Sequence, residues 1–265
     1  MALSLSLSEV IMLVKTIKAL LISSLFSGLA YSGVVIEGTR IIFDGGKKEQ
    51  VVRINNRDNI KPALIQVWAD DGVEVNNINN PKLPFVITPP ISRIEPGKGQ
   101  SIRLIYNGTT LPQDRESIYY FNVLEIPPET EASKNISQRL DIAFKTRIKI
   151  FYRPESLRKD TGIRYLDNIK WSVINIPGKG TALKAENPSP FYISVAAVKA
   201  KINGKEVELR GDMLAPMSSA VYTQDEKSQK SDGDISGFTY AVLNDYGAQV
   251  VTKVVKSGAG FTTVK

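Results

Sequence analysis

Apolar and polar residues alternate along most of this chain in short runs, and turn-forming residues separate the runs. Such runs occupy residues 33–43, 51–55, 63–69, 101–106, 117–126, 140–152, 192–198 and 241–255. Gly45-Gly46, Pro81, Pro89-Pro90, Pro96-Gly97, Pro127-Pro128 and Asn203-Gly204 punctuate them. Successive side chains of a strand point to opposite faces, so period-two runs of this length predict strands with one buried face. Many short strands with regular turn signals predict an all-β protein of packed sandwiches, not a parallel α/β sheet. Trp68 and Trp171 fall among strand-like residues and are expected to anchor cores.

One run stands apart. Residues 136–152, ISQRLDIAFKTRIKIFY, are long for a strand. Leu140, Ile142, Phe144, Ile148 and Ile150 share one parity, with Thr146 among them, while Asp141, Lys145, Arg147 and Lys149 share the other. The run reads either as a half-buried sandwich strand or as an edge whose upper apolar residues fill another protein's groove. Soluble proteins normally avoid exposed apolar edges, and periodicity alone leaves both readings open.

Two segments break the alternation. Residues 19–31, ALLISSLFSGLAY, follow Lys15 and Lys18 and end in small residues, which predicts an export signal over residues 1–32, cut before Gly33 or after Ala30. The lysines leave the uninterrupted apolar part short of the ~20 residues a membrane span needs, so no stable membrane insertion is expected after cleavage. The polar stretch RPESLRKD at 153–160 predicts a linker over 153–159, between domains at 33–152 and 160–265. Residues 223–236, TQDEKSQKSDGDIS, read as an exposed loop.

Composition narrows the chemistry. The 265 residues include no histidine and no cysteine. This removes Ser-His-Asp and Cys-His nucleophiles, His or Cys metal sites, redox pairs and disulfides. An exported chain without disulfides needs a well-packed core. The net charge is +7, falling to +6 without the leader, and no run of five Lys or Arg occurs, so no nucleic-acid partner is expected. An enzyme built from what remains would need a carboxylate pair or a Ser-Lys dyad. The nearest acidic pairs, Asp70-Asp71 and Glu129/Glu131, sit in turn-like sequence, and no phosphate-cradling glycine motif is present, so a binding protein is expected.

Residues 111–128, LPQDRESIYYFNVLEIPP, resemble the signature of the periplasmic pilus-assembly chaperones, the PapD-like family of the chaperone–usher pathway. Further similarities follow in family order: GTRIIFD at 38–44, TPP at 88–90 with RIEPG at 93–97, KIFYRP at 149–154, ENPSPFY at 186–192 and NDYG at 244–247. The connection between Pro128 and Leu140 lacks the cysteine pair of the long-loop members, so the resemblance is to the short-loop class.

This resemblance implies two immunoglobulin-like β-sandwich domains set in an L with a cleft between them. It implies a non-enzymatic periplasmic chaperone, without cofactor or metal, that binds, folds and caps pilus subunits by donor-strand complementation. Its partners would be those subunits and an outer-membrane usher, and the free chaperone would be able to cap itself by self-association. The lent residues would be Leu140, Ile142 and Phe144, with Ile136 and Gln138 extending the row. Arg40 and Lys149 would grip the subunit's C-terminal carboxylate, although Lys149 has the opposite parity to the lent row. Arg103, Glu116 and Asp245 would form an interdomain charge network, and Pro62 would belong to the usher-contacting region. The alternative is an exported β-sandwich adhesion or structural protein, which would share the fold without needing Arg40 and Lys149.

Overall fold

The computed structural model describes residues 33–73, 82–126, 142–225, 230–258 and 260–264, together with Met12. The rest of the expected leader, Glu129, Glu131, Ile136, Gln138 and Leu140 lie outside the described residues. Among the described residues no helix is long and apolar enough to cross a membrane.

The chain is built from strands, as the alternation predicts. The first half holds β1 (Val34–Ile36), β2 (Arg40–Asp44), β3 (Glu49–Asn56), β4 (Ala63–Asp70), β5 (Phe85–Thr88), β6 (Ile91–Ile94), β7 (Gly99–Tyr106), β8 (Ser117–Ile126) and β9 (Phe144–Arg153). They form two sheets in the orders β1-β3-β7-β5 and β2-β9-β8-β4-β6. Fully buried Phe43, Ile54, Ile65, Ile102, Leu104, Phe121 and Ile150 fill the space between the sheets. The second half holds β10 (Lys170–Ile176), β11 (Gly180–Asn187), β12 (Ser194–Ile202), β13 (Lys205–Arg210), β14 (Ser218–Gln224), β15 (Ile235–Leu243), β16 (Gln249–Ser257) and β17 (Gly260–Val264). Their order is β10-β11-β14-β13-β12-β15-β16-β17. The β13–β14 link has only two paired positions, Leu209 with Gln224 and Arg210 with Thr223. The array bends there, so that Leu183 and Tyr222 from one side meet Val198 and Tyr240 from the other in a second core.

Local chemistry accounts for several of these elements. Asn203 and Gly204 take φ of 49° and 80° between β12 and β13, with Ile202 paired to Lys205. This is the left-handed two-residue turn that Asn-Gly favours. Trp171 packs in the second core, 4.8 Å from the ring of Phe238 and 5.1 Å from that of Tyr240. Trp68 does not behave as expected. Ile65, Val67 and Ala69 of β4 face the first core, so period two turns Trp68 to the opposite face. It is covered there by the Lys145 ammonium, 4.9 Å above its ring.

The expected linker also begins inside structure. Arg153 is the last residue of β9, pairs with Asp44 of β2 and is buried. Two short 3-10 segments follow, Glu155–Leu157 and Gly162–Asn168.

Candidate functional site

β2 and β9 run parallel, and the register sets Arg40 directly opposite Lys149. Residues opposed in neighbouring strands project from the same face, so two cationic side chains stand side by side. Both are partly buried where the halves of the molecule meet. Arg40 Nη1 donates to Ser194 Oγ at 3.2 Å and to the carbonyl of Leu243 at 3.4 Å. Its Nε is buried without a hydrogen-bond partner. Lys149 Nζ donates to the soft thioether of Met213, with Sδ at 3.5 Å, its one hydrogen bond among the described residues. Neither cation forms an ion pair among the described residues.

The electrostatics follow from this placement. Loss of water lowers the pKa of Lys149, the Arg40 charge beside it lowers it further, and Asp212 opposes the shift. Burial likewise lowers Arg40, with Asp245 opposing. Two partly desolvated cations that repel each other, without an ion-pair partner among the described residues, have the chemistry to receive an anion. A carboxylate accepts hydrogen bonds without donating any and would receive short, charge-assisted bonds from both.

Next to this pair lies a closed network. Arg153 Nε donates to Glu116 Oε1 at 2.8 Å, and its other nitrogens reach Asp245 Oδ2 at 2.8 Å and Oδ1 at 3.1 Å. Glu116 Oε2 accepts from the backbone N–H of Tyr192 at 2.9 Å. Burial pushes the Glu116 carboxyl upward, while Arg153 pulls it back. Glu116 and Arg153 belong to the first half, Tyr192 and Asp245 to the second, so the network ties the halves together. Gly247 does so by close approach: at φ +82°, a Cβ there would lie 2.2 Å from Thr39 Oγ1.

Residues 33–158 match the family described as pili and flagellar-assembly chaperone, PapD N-terminal domain, and residues 164–253 match the pili assembly chaperone PapD, C-terminal domain. The chain belongs to the pilus-assembly chaperones. It is 38% identical to the probable fimbrial chaperone YadV of Escherichia coli over 227 residues, covering 85% of this chain and 90% of the relative. It is 35% identical over 234 residues to the chaperone protein HifB of Haemophilus influenzae, covering 87% and 90%. The crystal structure of the YadV chaperone superposes with a TM-score of 0.67 at 33% identity, covering 88% of this chain and all of that one. The family is one of chaperones rather than enzymes, and this protein is a chaperone of pilus subunits with the family's two-domain all-β fold.

The other sequence-predicted residues of the chaperone are placed as follows. Ile142 and Phe144 are exposed, Phe144 at 65%. Phe144 has the parity of buried Ile148 and Ile150 but lies beyond the edge of the core. Strand β2 pairs only with 149–153 of β9, so among the described residues the outer edge of 144–148 has no neighbouring strand. Lys149 projects from the opposite face, and that face turns toward the second half, where Phe151 packs against the ring of Tyr192 at 5.7 Å. Strand β9 therefore presents Phe144 on one face and Lys149 on the other.

Glu116 and Asp245 both pair with Arg153, and Arg103 is not in that network. Arg103 lies on the exposed side of β7 and pairs with Glu49 of β3, and Arg153 occupies the cationic position instead. Pro62 is half-buried immediately before β4. Asp70 is buried at the end of β4, ion-paired with Arg147 and accepting from Asn122 Nδ2 at 2.7 Å, an arrangement that satisfies the carboxylate. Sequence reading missed Arg153, Ser194 and Met213. The first lay in what looked like a linker. The other two come from the second half and reach the cations only through folding.

Proposed function

We propose that this chaperone captures a pilus subunit in the periplasm by lending it the free edge of β9 and anchoring its C-terminal carboxylate between Arg40 and Lys149. The observation that carries this reading is the cation pair: two half-buried positive side chains, opposed in register and without an ion-pair partner among the described residues, one of them, Lys149, on the strand that continues into the exposed edge. Backbone hydrogen bonds along that edge would hold the subunit's groove, and Leu140, Ile142 and Phe144 would fill successive pockets. Fixing the terminus sets the register, because a one-residue slip would turn the apolar row away from the groove. Pro62 would contribute to contact with an outer-membrane usher, and free chaperone would shield its edge by self-association.

The test is a periplasmic pull-down with a C-terminally tagged protein, comparing wild type with Lys149→Glu and identifying bound proteins by mass. A small β-rich secreted subunit recovered in equal amount by wild type alone is the expected result. Recovery of the same protein by both would remove the carboxylate anchor and leave capture to the lent edge alone.

A further inference from the structure

The cation pair has a sulfur atom built into it. Met213 Sδ lies 3.5 Å from Lys149 Nζ and 3.5 Å from Ser194 Oγ, and the same hydroxyl accepts from Arg40 Nη1. One thioether therefore touches Lys149, a donor that an incoming carboxylate would use, and the hydroxyl that holds the other, Arg40. Its position is fixed by its neighbours: the adjacent Leu214 is bridged to Ile193, and the carbonyl of Asp212 accepts from the Tyr222 hydroxyl at 3.1 Å. Met213 is itself only half-buried, so small solutes can reach it. In a chain without cysteine, methionine is the only residue offering oxidisable sulfur.

We propose that Met213 is a reversible oxidation site that closes the carboxylate-binding cradle. The thioether is a weak acceptor and yields its place to a carboxylate. With a peroxide as oxidant, a sulfur lone pair attacks one peroxide oxygen, the O–O bond breaks and water leaves. The sulfur loses two electrons, the peroxide is reduced and a sulfoxide remains. The sulfoxide oxygen is a strong acceptor, carried on a sulfur already in contact with the Lys149 ammonium and the Ser194 hydroxyl. It engages these donors internally and competes with the subunit's terminus. A methionine sulfoxide reductase restores the open site. The inference rests on the carboxylate reading above and adds to it a control by oxidants.

The experiment uses the exported protein and two fluorescent peptides of the same alternating apolar and polar sequence, one ending in a free carboxylate and the other in an amide. Peroxide treatment is followed by mass spectrometry of the peptides containing Met213 and Met217. Untreated protein is expected to prefer the acid peptide. Oxidation at Met213 should weaken acid-peptide binding roughly tenfold or more, the scale of a hydrogen bond to a charged group, and leave the amide peptide unaffected. Met217→Leu protein should remain peroxide-sensitive, Met213→Leu protein should bind equally before and after peroxide whatever its starting affinity, and reductase should restore the loss. The proposal is overturned if Met213 resists peroxide while Met217 is oxidised, or if protein carrying the Met213 sulfoxide keeps its acid preference. If untreated protein binds acid and amide alike, the carboxylate anchor itself fails and this control fails with it.

Discussion

At Lys149 the ammonium has lost water to the surrounding strands and faces Arg40 across one strand pair, so its pKa lies below the ordinary 10.5. A lysine that holds its proton less tightly when folded than when unfolded opposes folding while it is charged. The penalty is complete below the folded pKa and is relieved as pH rises from that value toward 10.5. Lys149→Met is therefore expected to leave the urea midpoint at neutral pH unchanged or higher while abolishing subunit capture. A lower midpoint would show that the ammonium is structural. By the same shift, affinity for a free carboxylate should decline with rising pH before an ordinary lysine would titrate, which a binding titration across alkaline pH measures. The residue type and position of this pair were legible in the sequence only through family motifs. Alternation marks Lys149 as a solvent-facing position, and nothing local places Arg40 beside it.

Strand β9 combines two environments along one parity. Ile148 is 9% exposed and packs in the core, whereas Phe144 is 65% exposed beyond its rim. Ile148→Ala should destabilise by about 2–5 kcal/mol, as large-to-small core changes do. Phe144→Asp should change stability by no more than about 0.5 kcal/mol, as surface substitutions do, yet remove most subunit capture. Urea unfolding and co-purification measured on both variants separate the roles, and a Phe144→Asp protein that captures subunits normally would count against the lent-strand reading. Alternation showed that the strand exists and which residues share a face. It could not show where the core ends, because that depends on the parallel pairing of β2 with the last part of β9, a contact between residues distant in sequence. Trp68 misled for a related reason: period two puts it on the outer face, where it is nonetheless buried, with the Lys145 ammonium over its ring.

Across the whole molecule, the two cores are joined by charges as well as by chain. Arg153 stands between Glu116 and Asp245, and removing it leaves a buried carboxylate without its cation. Arg153→Met is expected to cost about 3–5 kcal/mol at neutral pH. The cost should shrink in acid, because the Glu116 carboxyl, already raised by burial, then protonates and needs no partner. Urea titrations at neutral and acidic pH check this, and equal losses at both would detach Glu116 from the effect. Gly247→Ala tests the other tie. Its Cβ would meet Thr39 Oγ1 at 2.2 Å in a left-handed conformation, so capture should fall while calorimetry still shows each core melting. The two-sandwich plan was readable from turn spacing and motifs, but this joint was not: a polar Arg-Pro stretch looks like a linker until Asp245 is brought to it from elsewhere in the chain. The continuity of β9 has one more consequence. Phe144 and Lys149 are held about 17 Å apart by unbroken strand at ~3.4 Å per residue. On the anchored-strand proposal this spacing would act as a fixed ruler, so clients should agree in the distance from their last residue to their first empty pocket, even where the rest of their sequences diverge.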